Sequence, residues 1–341
     1  MVETELKRDR VIIRLGTKKW EWTLEPRYWR NTLMWAAILF LLPIPCYFFL
    51  PGIINTMISA NIYAAIAMPL ALMTIGTGRM NFGPQFYIGV GGYTAALLSI
   101  AFGWGPLMTL PFALLTAMIA ALLFSPLVIM ARGLYYVLLT LLLPLVFLEV
   151  TFIYTDIFKG DTGLFGIVPL LNTGNAKINF LLIGYLSTAL MFAYLWIINK
   201  VLKSRYGLIM AAINDDEEVA HSIGVNINKV KIIAFVAAST MVGLIGWFYA
   251  HYFSSFAGIT YLPLTFMLKI LLVLMIGGRA QVFGCVVGGY FIAFLEMLMI
   301  RFMGPIQPLL FPIILLILLF ILPEGLFGLY RKRRYREYLP T

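Results

Sequence analysis

Residues Lys200 to Lys231, KVLKSRYGLIMAAINDDEEVAHSIGVNINKVK, form the longest polar insert between two apolar blocks of this chain. About half of them are charged or carry a hydrogen-bonding side chain, whereas the flanking segments carry almost none. Asn214-Asp215-Asp216-Glu217 has the form of a helix start. Asn214 can cap, Glu217 stands three residues on to reach back, and the acids through Glu218 suit the positive end of a helix dipole. Gly224 lies where a C-terminal stop is expected. The spacing predicts a short helix from about Asp215 to Ile223, with Val219, Ala220 and Ile223 on one face. Two readings stay open from spacing alone: a surface helix that merely connects two membrane spans, or a knob that presses an apolar stripe into a partner.

Outward from the insert the chain is apolar. Its 341 residues are 62% hydrophobic and 12% charged, with a mean hydropathy of +0.93. A soluble domain carries about twice that charge. The many apolar runs near twenty residues mark an all-α protein that crosses the membrane several times. Ten spans are expected, at about 33–50, 52–75, 85–102, 107–130, 134–157, 178–199, 232–252, 262–276, 284–302 and 308–322. They make up a transmembrane domain over 33–330, between a basic arm at 1–32 and a basic tail at 331–341. The arm ends in Tyr28-Trp29, as suits a segment at the bilayer surface, and it does not read as a signal peptide. Within it RVIIRLGTKKWEWTL alternates around Gly16-Thr17, the pattern of a small hairpin. Cys46 and Cys285 both fall in apolar runs and form no exposed disulfide framework.

Charge orients the bundle. With the N-terminus cytoplasmic, ten spans return the C-terminus to the same side, and 21 of the 25 Lys and Arg then lie inside. They are eight in the arm, five in the insert, five in the tail from Arg331 to Arg336, and Arg79, Arg132 and Arg279 singly in turns. Lys159, Lys177 and Arg301 fall outside, and Lys269 lies within a span. That asymmetry predicts a cytoplasmic insert and accounts for the net charge of +10 without nucleic acid as a partner. An internal echo, Gly78-Arg79 with Phe82-Gly83 and Gly278-Arg279 with Phe283-Gly284, suggests a parallel repeat.

No nucleotide loop, zinc motif or nucleophile elbow is present, and the two histidines, His221 and His251, fall on opposite sides of the membrane and read as polar surface residues. Metal ligation and enzymatic chemistry are not expected. Glycine clusters at Gly89, Gly91 and Gly92 (followed by Tyr93) and at Gly284, Gly288 and Gly289 admit two readings: close helix packing, or irregular backbone along a translocation path. Charges inside spans are costly and need partners. Glu149, Lys269 and Glu296 are the candidates for an intramembrane ion pair, in which Lys269 would neutralise one of the two carboxylates. A structural pair and a polar path lining both stay open.

Four segments, in order, carry a resemblance to the permease subunits of branched-chain amino-acid (Liv-type) ABC importers. They are TGRMNFGPQFYIGVGGYTAALLS from Thr77; RGLYYVLLTL from Arg132 with Gly160-Asp-Thr-Gly-Leu164; Arg205 to Gly224; and MIGGRAQVFGCVVGG with Pro323-Glu-Gly-Leu-Phe-Gly328. The resemblance implies a subunit that binds no cofactor itself, with ATP and Mg held by two separate ATPase subunits. The insert would couple to them through Gly207, Asn214, Asp215, Glu217, Glu218, Val219, Ala220, Ile223 and Gly224, with Val219 in place of the family's first alanine. It further implies a second, different permease as heterodimer partner, an external substrate-binding protein, and a place in the inner (plasma) membrane. The external loop and the Pro323-Glu-Gly-Leu-Phe-Gly328 end resemble the M-type permease more than the H-type. The serine of the family's first block is replaced here, with Asn81 and Pro84 at neighbouring positions, which leaves the substrate open between hydrophobic amino acids and urea or short amides. A stand-alone secondary carrier is the reading from outside the family.

Overall fold

The computed structural model describes residues 2–7, 10–15, 18–23, 51–131, 133–222, 224–278, 282–307, 310–314 and 317. Strands β1 (Val2–Lys7), β2 (Arg10–Leu15) and β3 (Lys18–Thr23) form an antiparallel sheet in that order. Leu15 lies opposite Lys18, which is the hairpin register expected around Gly16-Thr17, and β1 adds a strand beyond that reading. The expected span at 33–50 lies outside the described residues, and so does most of the one at 308–322.

Eight helical segments among the described residues are long and apolar enough to cross a membrane, and the protein is an all-α polytopic membrane protein. They begin with α1 (Pro51–Thr77), α2 (Pro84–Phe102) and α3 (Pro106–Phe124), which continues past Ser125 as the short α4 (Pro126–Met130). Then come α5 (Gly133–Ile153), the turn of helix α6 (Thr155–Phe158) and α7 (Ala176–Leu202). The insert supplies α8 (Arg205–Asp215) and α9 (Glu217–Ser222). The last group is α10 (Ile227–Phe253), α11 (Gly258–Tyr261), α12 (Leu264–Gly277) and α13 (Val282–Met303).

Composition decides which helices are central. α1 is rich in alanine, buries 83% of its span and packs on α7, α10, α12 and α13. Small side chains let four neighbours approach one rod. By contrast α3–α4 and α5 bury only 28% and 22% of their spans and present leucine, isoleucine and phenylalanine outward, the surface a lipid bilayer covers.

The glycine clusters lie at helix crossings. A Cβ at Gly91 would strike the Gly243 carbonyl of α10, and one at Gly246 the Ile88 carbonyl of α2. Gly288 meets the backbone of Val273 on α12, Gly289 that of Ala60 on α1, Gly89 the Phe147 ring and Gly92 the Phe256 ring. Tyr93 is buried among Phe147, Phe158 and Phe256, and its hydroxyl accepts from Gly258 N at 2.8 Å. These are close-packing positions.

At the opposite end of the bundle from the insert, β4 (Leu164–Phe165) pairs with β5 (Ser255–Phe256) and fastens the loop after α6 to the end of α10. His251 secures the same joint and is fully buried, not the surface residue expected from its place at a span end. Its Nε2 lies 2.7 Å from Thr109 Oγ1 and its Nδ1 2.6 Å from the Val168 carbonyl. The loop supplies the Val168 carbonyl and α3 the Thr109 hydroxyl, so burial leaves neither ring nitrogen unpaired.

Candidate functional site

Ser204 starts α8 by accepting from Gly207 N at 3.5 Å. Gly207 is required at that bend, because a Cβ there would run into the Leu202 backbone where α7 ends. Met210 and Ile213 are buried, Gly76 at the end of α1 packs against Met210, and Gly78 packs against the Asn214 side chain. The insert is therefore seated on the bundle, while Tyr206, Leu208 and Val219 stay more than half exposed on its outer side.

The helix boundaries differ from expectation. A single helix from Asp215 to Ile223 with Asn214 as its cap does not form. Asn214 and Asp215 belong to the last turn of α8, and the Asn214 amide donates to the Ile75 carbonyl at 3.3 Å. Asp216 is where the chain leaves helical geometry (φ −156°, ψ 114°), so Asp216 is the cap of α9: its Oδ1 accepts from Glu218 N at 2.8 Å and Val219 N at 3.1 Å. The upstream helix decides which of several cap-competent residues is used. The stop falls where expected. Gly224 has φ +86°, Gly224 N donates to the His221 carbonyl, and Val225 N donates to the Ala220 carbonyl at 3.2 Å. Of the expected apolar face, Ala220 is buried against the bundle and Val219 is exposed; Ile223 lies outside the described residues.

Glu217 does not reach back to cap. Its Oε1 accepts from Lys231 Nζ at 2.5 Å and from Arg79 Nη2 at 3.4 Å. Lys231 lies one turn into α10 and is 2% exposed; Arg79 lies in the turn between α1 and α2 and is 8% exposed. Arg79 also donates to the Ala131 carbonyl and stacks over the Tyr136 ring at 5.7 Å, which brings in the approach to α5. Two nearly buried cations draw a carboxylate more strongly than a backbone N–H does. One carboxylate at the head of α9 thus joins the α1–α2 turn and α10. Partial burial pushes the Glu217 carboxyl up, but the Lys231 hydrogen bond and charge and the Arg79 guanidinium outweigh it and hold it below the usual carboxylate value. A recess of ≈ 700 Å³ opens beside this clamp, lined by Arg79, Met80, Tyr136, Asp215, Glu217 and Glu218 among others.

Reading the sequence missed this clamp. Lys231 and Arg79 counted there only as orienting charges, although a lysine so close to the start of an apolar span, just after an acid run, was the available signal. The intramembrane charges sort themselves. Lys269 Nζ lies 2.6 Å from Glu296 Oε1, and the Tyr63 hydroxyl donates to Glu296 Oε2 at 2.9 Å. Tyr63 and Phe311 place aromatic faces near the ammonium, at 5.2 and 5.5 Å from it. Glu149 stands exposed on α5 and makes no ion pair among the described residues.

A polytopic bundle that binds its polar insert through shared buried charges has the build of a membrane permease. The profile of the family described as branched-chain amino acid transport system, permease component, matches residues 52–323, and the chain belongs to that family. A probable branched-chain amino acid transport permease protein LivH of Methanocaldococcus jannaschii is 22% identical over 272 residues, covering 73% of this chain and 81% of LivH. The high-affinity branched-chain amino acid transport system permease protein LivM of Salmonella typhimurium is 25% identical over 260 residues, covering 69% of this chain and 60% of LivM. With LivH and LivM both among the relatives, the likeness does not separate the two permease types. No solved structure matches.

Proposed function

We propose that this chain is one permease of an ATP-driven importer for branched-chain or other hydrophobic amino acids. In this reading the insert faces the cytoplasm, with both termini on the same side, and the bundle sits in the inner membrane. A second permease completes the solute path, two ATPase subunits carry the ATP and Mg, and an external binding protein delivers solute. The substrate class follows the names of the relatives, which favour it over urea and short amides.

The observation that carries the coupling role is the Glu217 clamp. A docking helix transmits force only if it is stiff and tied to what must move. Asp216 and Gly224 fix both ends of α9, and Glu217 ties its head to α10 and the α1–α2 turn. Glu218 and Val219 stay exposed for a partner surface. The test is ATP-dependent uptake in proteoliposomes holding all subunits. Glu218→Arg, at an exposed position, is expected to abolish uptake and ATPase co-purification while the permease still assembles with its partner permease. Normal uptake by that variant would reject the reading, and so would uptake by this chain alone without nucleotide, which a secondary carrier would show.

A further inference from the structure

A second polar feature lies inside the bundle. A cleft of ≈ 10 Å³, about the space of one water molecule, is bounded by α1, the start of α2 and α10. Its polar lining is Asn81, Tyr87 and Ser239, and its apolar lining includes Leu70, Met73 and Val242. The Tyr87 and Ser239 side chains line it from α2 and α10. Both residues are at least 98% buried, and neither hydroxyl has a hydrogen-bond partner among the described residues. Phenylalanine and alanine would fill the same space without leaving polar atoms unpaired, so two buried hydroxyls on one cleft point to a hydrogen-bonding guest. Tyr136 extends the feature outward: it lines the recess beside the Glu217 clamp, and its own hydroxyl has no partner among the described residues.

The walls of this cleft are the elements the clamp grips. Asn81 follows Arg79 in the same turn, Pro84 opens α2, and Ser239 lies on α10 two turns beyond Lys231. A displacement of α9 that pulls on Glu217 therefore acts on both walls, and opening between them would join the cleft to the recess past Tyr136. α1 carries Pro69 at this level, where its helix lacks one backbone hydrogen bond and bends more easily.

We propose that the Tyr87–Ser239 cleft is the inner gate of the solute path, where the two hydroxyls and Asn81 take the hydrogen-bonding head of a small solute and Leu70, Met73 and Val242 take its aliphatic body. This rests on the importer reading and adds a gate within this chain. The test uses the complete complex with Cys46 and Cys285 replaced and Ser239→Cys introduced. A membrane-impermeant sulfonate-bearing thiol reagent is applied from the insert side, with and without ATP, and with leucine as the probe solute. Modification is expected to be several-fold faster during ATP turnover and to be slowed by leucine. Tyr87→Phe is expected to raise the KM for leucine uptake about three- to tenfold, the loss of one hydrogen bond. Equal labelling with and without turnover, or a Tyr87→Phe complex with wild-type KM, would overturn the gate and leave a merely structural polar pair. A wild-type complex that takes up no leucine with ATP would instead overturn the importer reading.

Discussion

Among the described residues two sets of ion-paired side chains tie helices together, and they differ in build. Lys269, Glu296 and Tyr63 join α1, α12 and α13, with side chains only 16% and 20% exposed at the two charged ends and aromatic rings around the ammonium. Each charge has its own counter-charge, so the set acts as a rivet between packed helices. The Glu217 set places a single carboxylate, 36% exposed, between two cations on separate elements. Loss of that carboxylate releases two elements at once. The first set is neutral and shielded between packed helices, whereas the second shares one carboxylate oxygen at the edge of the bundle, which suits the transmitting role proposed for it.

The comparison can be broken at four points, in falling order of effect. Lys269→Ala leaves a partly shielded carboxylate inside the bundle, with an expected loss of about 3–5 kcal/mol. The same principle makes Lys269→Met with Glu296→Met nearly neutral. Thermal unfolding in detergent measures both, and a double variant as unstable as the single one would refute the rivet. Glu217→Ala takes the shared carboxylate from Lys231 and Arg79, both nearly buried, at an expected cost of about 3 kcal/mol, the low end of the same range because the carboxylate itself is partly solvated, and should also remove uptake. An uptake loss no greater than that of the rivet's double variant would erase the distinction.

Gly224→Val places a β-branched residue at φ +86°, with open space around it, so the expected cost of about 1–2 kcal/mol is backbone strain and not collision. Amide hydrogen exchange in α9 should quicken while α12 stays protected. The smallest effect is that of pH. The Glu217 carboxyl is held below its unfolded value, so its contribution is complete above the ordinary glutamate range near pH ~4.3 and is lost as pH falls through the lower folded value. Exchange in α9 should stay slow through neutrality and speed up only in acid. Acceleration above pH ~6 would contradict the assignment.

What the sequence disclosed and what it hid divide along local and non-local physics. The eight spans among the described residues are a matter of composition over about twenty residues and were legible. Gly224 was legible because a helix stop at positive φ selects glycine within a single turn. The cap was not: Asn214 and Asp216 have equal chemistry, and the choice rests with where α8 ends, which its apolar contacts with α1 decide. A charge inside a span is costly, so an ion pair around Lys269 was one of two readings the sequence left open. Its choice of Glu296 over Glu149 depends on α12 lying against α13. Arg79 and Glu217 are separated by 138 residues, and nothing local joins them.

The central claim is that Glu217 carries force from the insert to the transmembrane helices. Its most direct test is the ratio of solute imported to ATP hydrolysed by the complete reconstituted complex carrying Glu217→Gln, which keeps the side chain's shape and an acceptor oxygen but removes its charge. The account expects hydrolysis to continue while imported solute per ATP falls to background. A ratio equal to that of the wild type would contradict it.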